Sequence, residues 1–279
     1  MLKYRLPSGI LMGTLIISAV FVKGDIGKYI FLLFGVFLAF AAIYEYLKML
    51  EKAGFSSLPL ITACFSSIVL AMIVLGLDVK ILLLLFTAVI ITSWIRLLPP
   101  ENRLKSLQQS ITSASAVIYI LFPVAFLALI YLCTSHSVSG RIYFFFLLIV
   151  TKCGDIGAYT VGTISSKVMP GGNHKILPKI SPKKSWEGTL GGMLVSICAS
   201  YIFCKFVPEL TIDHGKLFPL IAGILLFWGG FLGDLVESAL KRTAGVKDSG
   251  NMIPGMGGAL DVIDSLLLNA PIFYILIML

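Results

Sequence analysis

Long apolar segments recur along the whole chain and are separated by short stretches that hold most of the charged residues. Each segment has about 20 residues, the length that a helix needs to cross the hydrocarbon core of a bilayer. The pattern predicts an all-α integral membrane protein, a polytopic bundle of about nine transmembrane helices. The first segment lacks a clear cleavage motif, so we interpret it as a retained helix. The predicted spans are residues 7–22, 29–50, 58–77, 80–98, 111–133, 142–162, 188–207, 218–239 and 259–279.

The composition supports this class, because 58% of the 279 residues are hydrophobic and only 13% are charged. A net charge of +8 would suggest nucleic acid for a soluble protein. Cytoplasmic loops of membrane proteins collect Lys and Arg, so we predict no nucleic-acid partner here. Most loop cations fall on one side if the N-terminus is cytoplasmic. This orientation places both polar loops of the second half, and therefore the active site, at the cytoplasmic face.

The chain changes character near Arg141. Before it, the spans are plain aliphatic and aromatic, whereas glycines, charges and polar motifs are dense after it. We predict N-terminal transmembrane scaffold helices over 1–140 and a C-terminal catalytic transmembrane region over 141–279. The five cysteines form no Cys-x-x-Cys pair, which favours structural, reduced thiols.

Two polar motifs precede the residue 188–207 span. Lys152, Asp155 and Tyr159 share one helix face, as either a self-satisfied ion pair or one wall of a hydrophilic cavity. The loop over 171–188 is rich in lysines, glycines and hydroxyls, and the helix that begins near Ser185 suits a phosphate. Ser185 could equally be a simple helix cap, and the lysines could attract lipid headgroups. The isolated His174 is interpreted as solvated.

Carboxylates gather near the end of the chain. Asp234, Glu237, Ser238 and Lys241 form one helical stripe, and Asp261 and Asp264 begin the last span. Close carboxylates repel unless a cation lies between them, and oxygen-only ligands favour Mg²⁺ or Mn²⁺. The alternative is a structural ion-pair network. Neither a Walker motif nor a dinucleotide fingerprint is present in the sequence, so a nucleotide must bind by another route.

The second half resembles the phosphatidate cytidylyltransferase (CDP-diacylglycerol synthase) family. Its signature residues are met by Ser238, Lys241, Arg242, Lys247, Asp248, Pro254, Gly255, Gly257, Gly258, Asp261 and Asp264. The stretches 154–159 and 181–188 also look like family motifs, in the family's order. Met256 and Val262 depart from the pattern, because the family usually has His and Arg there.

The resemblance implies transfer of CMP from CTP to phosphatidic acid, which yields CDP-diacylglycerol and pyrophosphate. It implies Mg²⁺ or Mn²⁺ as cofactor, membrane lipids as surroundings, a possible homodimer and a bacterial cell (inner) membrane. We assign Asp234, Asp261 and Asp264 to the metal and, with Lys241, to catalysis. The predicted substrate-binding residues are Asp155, Ser181, Lys183, Ser185, Glu187, Ser238, Arg242, Lys247 and Asp248.

Three alternatives remain open at this point. A membrane transporter also carries intramembrane charges, although the charged motifs here gather at one face. A catalytically inactive or altered-substrate relative is suggested by Met256 and Val262. A third alternative is a CTP-dependent enzyme that acts on another lipid phosphate or a polyprenol.

Overall fold

The structure is a computed structural model that describes residues 2–77, 91, 95, 102–134, 137–178, 180–255 and 257–279. Nearly all of the predicted span 80–98 therefore lies outside the described residues, as do Lys179 and Met256. The first helices are α1 (Leu2–Phe21), α2 (Asp25–Lys52), α3 (Pro59–Leu75), α4 (Arg103–Ala116) and α5 (Phe122–Leu132). The later helices are α6 (Gly140–Val168), α7 (Trp186–Phe206), α8 (Glu209–His214), α9 (Phe218–Thr243) and α10 (Ala259–Met278).

Six helical segments of the described chain are long and apolar enough to cross a membrane. They are α2, the continuous stretch Arg103–Leu132, α6, α7, α9 and α10. Leu6–Phe21 and Pro59–Leu75 are shorter apolar helices at the first and third predicted spans. The all-α membrane class is therefore confirmed. The count of nine spans and the cytoplasmic N-terminus stay predictions.

Local sequence explains several helix boundaries. Pro59 occupies the first turn of α3, where its missing N–H costs nothing, and Gly76 ends that helix with φ 79°. A π-helical turn, Val117–Leu121, joins α4 to α5. Ser185 caps α7 through its side chain. Such starts and stops separate the apolar segments into individual helices.

The chain divides into two compact units. The first comprises Met1–Leu129 with Lys241–Ile263, and the second comprises Ile130–Leu240 with Asp264–Leu279. The short region between α9 and α10 therefore belongs to the same unit as the N-terminal helices. The predicted division into scaffold helices over 1–140 and a catalytic region over 141–279 is a division by function, not by compact units, and it stays a prediction.

In the first unit, α2 packs against α1 and α3. Ala39, Ala41 and Ala42 on α2 are completely buried, since small side chains allow helices to approach closely. Leu33 and Phe37 on the same helix are exposed. Exposed apolar side chains on a long helix are expected where lipid replaces water.

The second unit is built around an aromatic core. The Phe146 ring stacks on Phe273 at 5.4 Å between centroids and meets Phe203 edge-on at 5.2 Å. The Phe218 ring is tilted against Phe146 at 5.6 Å. An antiparallel hairpin of β1 (Lys175–Leu177) and β2 (Ser181–Ser185) follows α6. These strands are an exception to the predicted all-α class, but they are short and confined to the polar loop.

Candidate functional site

Glycines let α9 approach α10 in the second unit. A Cβ on Gly233 would collide with the backbone carbonyl of Asp264, and a Cβ on Gly230 would crowd Asn269. Asn269 is buried and donates to the backbone carbonyl of Leu226 at 2.7 Å. The Gly229-x-x-x-Gly233 motif therefore packs helices within one chain. Gly233, at the end of this motif, lies beside the acidic residues.

This approach produces an acidic cluster of Asp234, Glu237 and Asp264. One carboxylate oxygen from each residue lies within 4.8 Å of the others. Glu237 is completely buried and Asp264 is 9% exposed, whereas Asp234 is more accessible, with 41% of its side chain exposed. The three residues offer only oxygen ligands, and such a set suits a hard divalent cation. Glu237 is not among the metal ligands that the sequence predicts, although it lies on the predicted stripe.

Lys184 of β2 reaches the same cluster. Its Nζ atom lies 3.0 Å from Asp234 Oδ2 and donates to the backbone carbonyl of Phe231 at 3.0 Å. The ammonium also lies 4.1 Å from the centre of the Phe231 ring. Its neighbour Lys183 is exposed, and the predicted role of Lys183 in binding substrate stays a prediction. Alternate strand residues point to opposite faces, so the choice between neighbours depends on the phase of the strand.

The stretch around Asp155 forms the predicted pair on α6. Lys152 Nζ lies 3.3 Å from Asp155 Oδ2 and donates to Ser265 Oγ at 2.8 Å. Lys152 thereby links Asp155 with the residue that follows Asp264. The ion pair is confirmed; the role of Asp155 in binding substrate stays a prediction.

Ser185 has a defined structural role. Its hydroxyl accepts from the Gly188 N–H at 3.2 Å and from Asn173 Nδ2 at 3.0 Å. Asn173 also donates to the backbone carbonyl of Gly162 at 2.7 Å, so it ties the loop to α6. The helix-cap interpretation of Ser185 is thus confirmed, and its predicted contact with substrate remains untested.

Glu187 pairs with His174 across the β-hairpin. Glu187 Oε1 lies 2.6 Å from His174 Nδ1, and the His174 backbone N–H donates to the same carboxylate at 3.2 Å. The imidazole is largely solvated, with 75% of the side chain exposed, in agreement with prediction. Its carboxylate partner lies thirteen residues away, and nothing in the sequence spacing indicated it.

Asp261 lies at the centre of a second polar group, within the first unit. Its Oδ1 accepts from Lys241 Nζ at 2.6 Å. Its Oδ2 accepts from the backbone N–H groups of Ser249 at 3.0 Å and Gly258 at 2.8 Å, and from Ser249 Oγ at 2.9 Å. We call Lys241, Ser249, Gly258 and Asp261 the Asp261 network. The metal-binding role predicted for Asp261 stays a prediction.

The other predicted site residues differ in their accessibility. Ser238 donates to Asp234 Oδ1 at 3.3 Å, one turn along α9. Ser181 is partly exposed at the start of β2, and Val262 is partly exposed on α10. The exposed predicted residues after Lys241 are Arg242, Lys247 and Asp248. Their predicted phosphate contacts remain hypotheses.

Fold and site together define an all-α membrane protein with a cluster of three carboxylates and an adjacent lysine. The chain belongs to the cytidylyltransferase family, whose family model matches residues 3–279. This match covers the first half of the chain as well as the motif-rich second half.

Several curated proteins are similar to the chain. Phosphatidate cytidylyltransferase of Bacillus subtilis is 42% identical over 138 residues, which cover 50% of this chain and 48% of the relative. Uncharacterized protein YnbB of Escherichia coli K12 is 41% identical over 146 residues, covering 52% and 46%. Each of these matches therefore spans about half the length of the relative. Phosphatidate cytidylyltransferase of Staphylococcus saprophyticus is 33% identical over 260 residues, covering 90% of this chain and 91% of the relative.

Proposed function

We propose that the chain is a phosphatidate cytidylyltransferase, which transfers CMP from CTP to phosphatidic acid. The observation that carries the proposal is the cluster of Asp234, Glu237 and Asp264, with Lys184 beside it, in a member of the cytidylyltransferase family. The printed names of the Bacillus and Staphylococcus relatives support the choice of lipid substrate.

The chemistry requires one anion to attack another. A phosphate oxygen of phosphatidic acid forms a bond to the α-phosphorus of CTP. The bond from that phosphorus to the oxygen bridging to the β-phosphorus breaks, and pyrophosphate leaves with the electron pair. Charge repulsion is the main obstacle, so the rate should depend on positioning and on neutralisation of charge.

The acidic cluster fits a divalent cation, because three oxygen ligands converge and two of their side chains are withdrawn from water. We propose that Asp234, Glu237 and Asp264 hold Mg²⁺ or Mn²⁺. When bound, the cation supplies positive charge to phosphate oxygens. Lys184 holds the Asp234 carboxylate in place and offsets part of the cluster's negative charge. We retain Asp261 as a further candidate ligand from the sequence.

The cationic side chains after the acidic stripe suit phosphate recognition. We propose that Lys241, Arg242 and Lys247 contact substrate phosphates, with Asp248 in the same region. We also propose that Ser181, Lys183, Ser185 and Glu187 contact CTP or the lipid phosphate, and that Ser238 supports Asp234. Asp155 would line the route by which a headgroup enters from the cytoplasmic leaflet. A bacterial cell membrane and a homodimer complete the proposal.

The first experiment measures pyrophosphate release by purified protein in detergent, with phosphatidic acid and CTP. We expect release that requires lipid and Mg²⁺, stops with chelator and does not occur with ATP. Asp234→Asn should lower turnover at least about 100-fold without unfolding the protein, because it removes a ligand charge. Near-normal turnover of that variant would contradict the metal assignment.

Absence of release from folded wild-type protein would contradict the proposed reaction. Assays with other lipid phosphates would then separate the remaining alternatives, since an altered-substrate enzyme would release pyrophosphate with one of them. An inactive relative would release none with any of them. Uptake of a solute by proteoliposomes, without pyrophosphate release, would instead support the transporter alternative.

A further inference from the structure

Glu45 on α2 is a buried carboxylate in the half of the chain that we interpreted as scaffold. It is 4% exposed, and an ionised side chain at that burial requires compensating donors. Its Oε2 atom accepts from the backbone N–H of Leu260 at 3.2 Å. The other carboxylate oxygen, Oε1, is buried and has no hydrogen-bond partner among the described residues. Leu260 lies in the first turn of α10, directly after the chain that connects α9 to α10.

Two glycines explain how this carboxylate fits against the backbone. We call residues 244–258, between α9 and α10, the signature loop. A Cβ on Gly250 or on Gly258 would collide with the Glu45 carboxylate. The loop backbone therefore packs directly on Glu45, and this close packing explains why both positions are glycine. Gly258 is also one of the residues that meet the family pattern.

Ser249 connects Glu45 to the Asp261 network. Its hydroxyl lies 3.4 Å from Glu45 Oε2 and 2.9 Å from Asp261 Oδ2. A hydroxyl has one proton, so it donates to one of these carboxylates at a time. Asp261 in turn accepts from Lys241. A chain of contacts thus runs from α2 to a proposed phosphate-binding lysine.

A second contact supports the same arrangement. Ser8 on α1 donates to the backbone carbonyl of Pro254 at 2.8 Å. The loop itself is irregular, and Gly255 and Gly257 adopt φ values of 77° and 99°. An irregular segment has little hydrogen bonding of its own, so its conformation depends on partners elsewhere in the fold.

We infer that Glu45 is a positioning residue that fixes the signature loop and, through Ser249, the pairing of Asp261 with Lys241. The inference rests on the proposed function for its catalytic consequence. Its structural consequence, the order of the loop, is independent of that function. The N-terminal helices then help to position the residues that carry the proposed function.

The test compares Glu45→Ala and Glu45→Gln with Glu51→Gln. Glu51 lies on the same helix and binds Lys48 and Ser57, not the signature loop. We expect Glu45→Ala to lower kcat/KM for CTP by about 10- to 100-fold, as supporting residues around a metal or phosphate site do. Glu45→Gln should lose less, because its amide oxygen can still accept from Leu260. Glu51→Gln should match the wild type.

Hydrogen exchange gives a readout that does not depend on turnover. Amides of residues 244–260 should exchange faster in both Glu45 variants, while peptides from α6 and α7 keep their wild-type protection. Unchanged exchange of the loop, or an increase spread evenly along the chain in Glu45→Gln, would overturn the inference. If Glu45→Ala fails to fold, the isosteric Glu45→Gln decides.

The two proposals can fail separately. If wild-type protein releases no pyrophosphate, the proposed function fails, and the exchange data still test the positioning of the loop. If wild-type protein is active and both Glu45 variants keep its kcat/KM, the catalytic part of the inference is wrong.

Discussion

The acidic cluster and the Asp261 network contain the same kinds of side chain in different proportions. In the Asp261 network, one carboxylate accepts from a lysine, a hydroxyl and two backbone N–H groups. In the acidic cluster, three carboxylates meet, and Lys184 pairs with Asp234. The first group has donors that balance its acceptor. The second concentrates negative charge in a mostly buried place.

This difference separates two uses of charge. A carboxylate whose oxygens are satisfied by fixed donors holds a loop in one conformation. Converging carboxylates repel one another, and that repulsion is relieved when a cation binds. We therefore expect the cluster to respond to metal and the network to respond to loss of a hydrogen-bond partner. The predictions below test that contrast.

The largest effect is expected for Asp264→Asn. The change should lower pyrophosphate release at least about 100-fold, because it removes a charged ligand from the cluster. The thermal midpoint in chelator should not fall, since one source of repulsion is gone. Mg²⁺ should raise the midpoint of the wild type by mass action and raise that of the variant less. Thermal unfolding with and without Mg²⁺ measures this.

Asp261→Asn is the matched change in the network. It should lower the free energy of unfolding by about 3 kcal/mol, as expected when one partner of a largely buried ion pair is removed. The stabilisation by Mg²⁺ should persist. If Mg²⁺ no longer stabilises this variant, Asp261 is a metal ligand, as the sequence suggested, and the contrast fails.

Gly233→Ala tests whether helix approach builds the cluster. The added methyl group meets the Asp264 carbonyl, so overpacking should cost about 1–3 kcal/mol and separate the carboxylates. Activity and Mg²⁺ stabilisation should fall together. Gly35→Ala on α2 is the control, because a Cβ there has no neighbour within 4 Å. Equal behaviour of the two variants would contradict the packing argument.

The smallest effect is expected at Ser185. Ser185→Ala removes a helix cap and should lower stability by about 1 kcal/mol. Ser181→Ala changes a partly exposed hydroxyl outside the helix and should leave the thermal midpoint unchanged. If Ser181 binds substrate as predicted, the KM of the Ser181→Ala variant for CTP or lipid should rise. A rise for neither variant would remove both serines from the substrate pocket.

Sequence patterns predicted the features that depend on local chemistry. Helix length and hydropathy indicated a membrane protein, and the helices found at most of the predicted spans confirm it. The spacing of Asp234 and Glu237 placed them on one face of α9, and Ser185 was recognised as a possible cap. Each conclusion needs only the geometry of one element, and the period of a helix is known in advance.

Features that depend on two distant segments could not be predicted from local sequence patterns. Glu45 and Ser249 are separated by 204 residues, and the sequence of α2 does not indicate that Glu45 is buried against that distant segment. Lys184 contacts the acidic cluster because of the phase of β2. Glu237 is the third member of the cluster because of the way in which α10 packs against α9. Spacing along one segment carries no information about what lies opposite.

The sequence by itself determined the membrane class, the family pattern and the residue types that carry charge, because hydropathy and motif spacing are local properties. The tertiary structure alone decided which of these charges meet. Helix approach at Gly233 joined Asp264 to Asp234 and Glu237, and loop packing on Glu45 directed Asp261 toward Lys241. Burial strengthens the repulsion within the acidic cluster and the attraction between Asp261 and Lys241, and burial is a property of the folded chain.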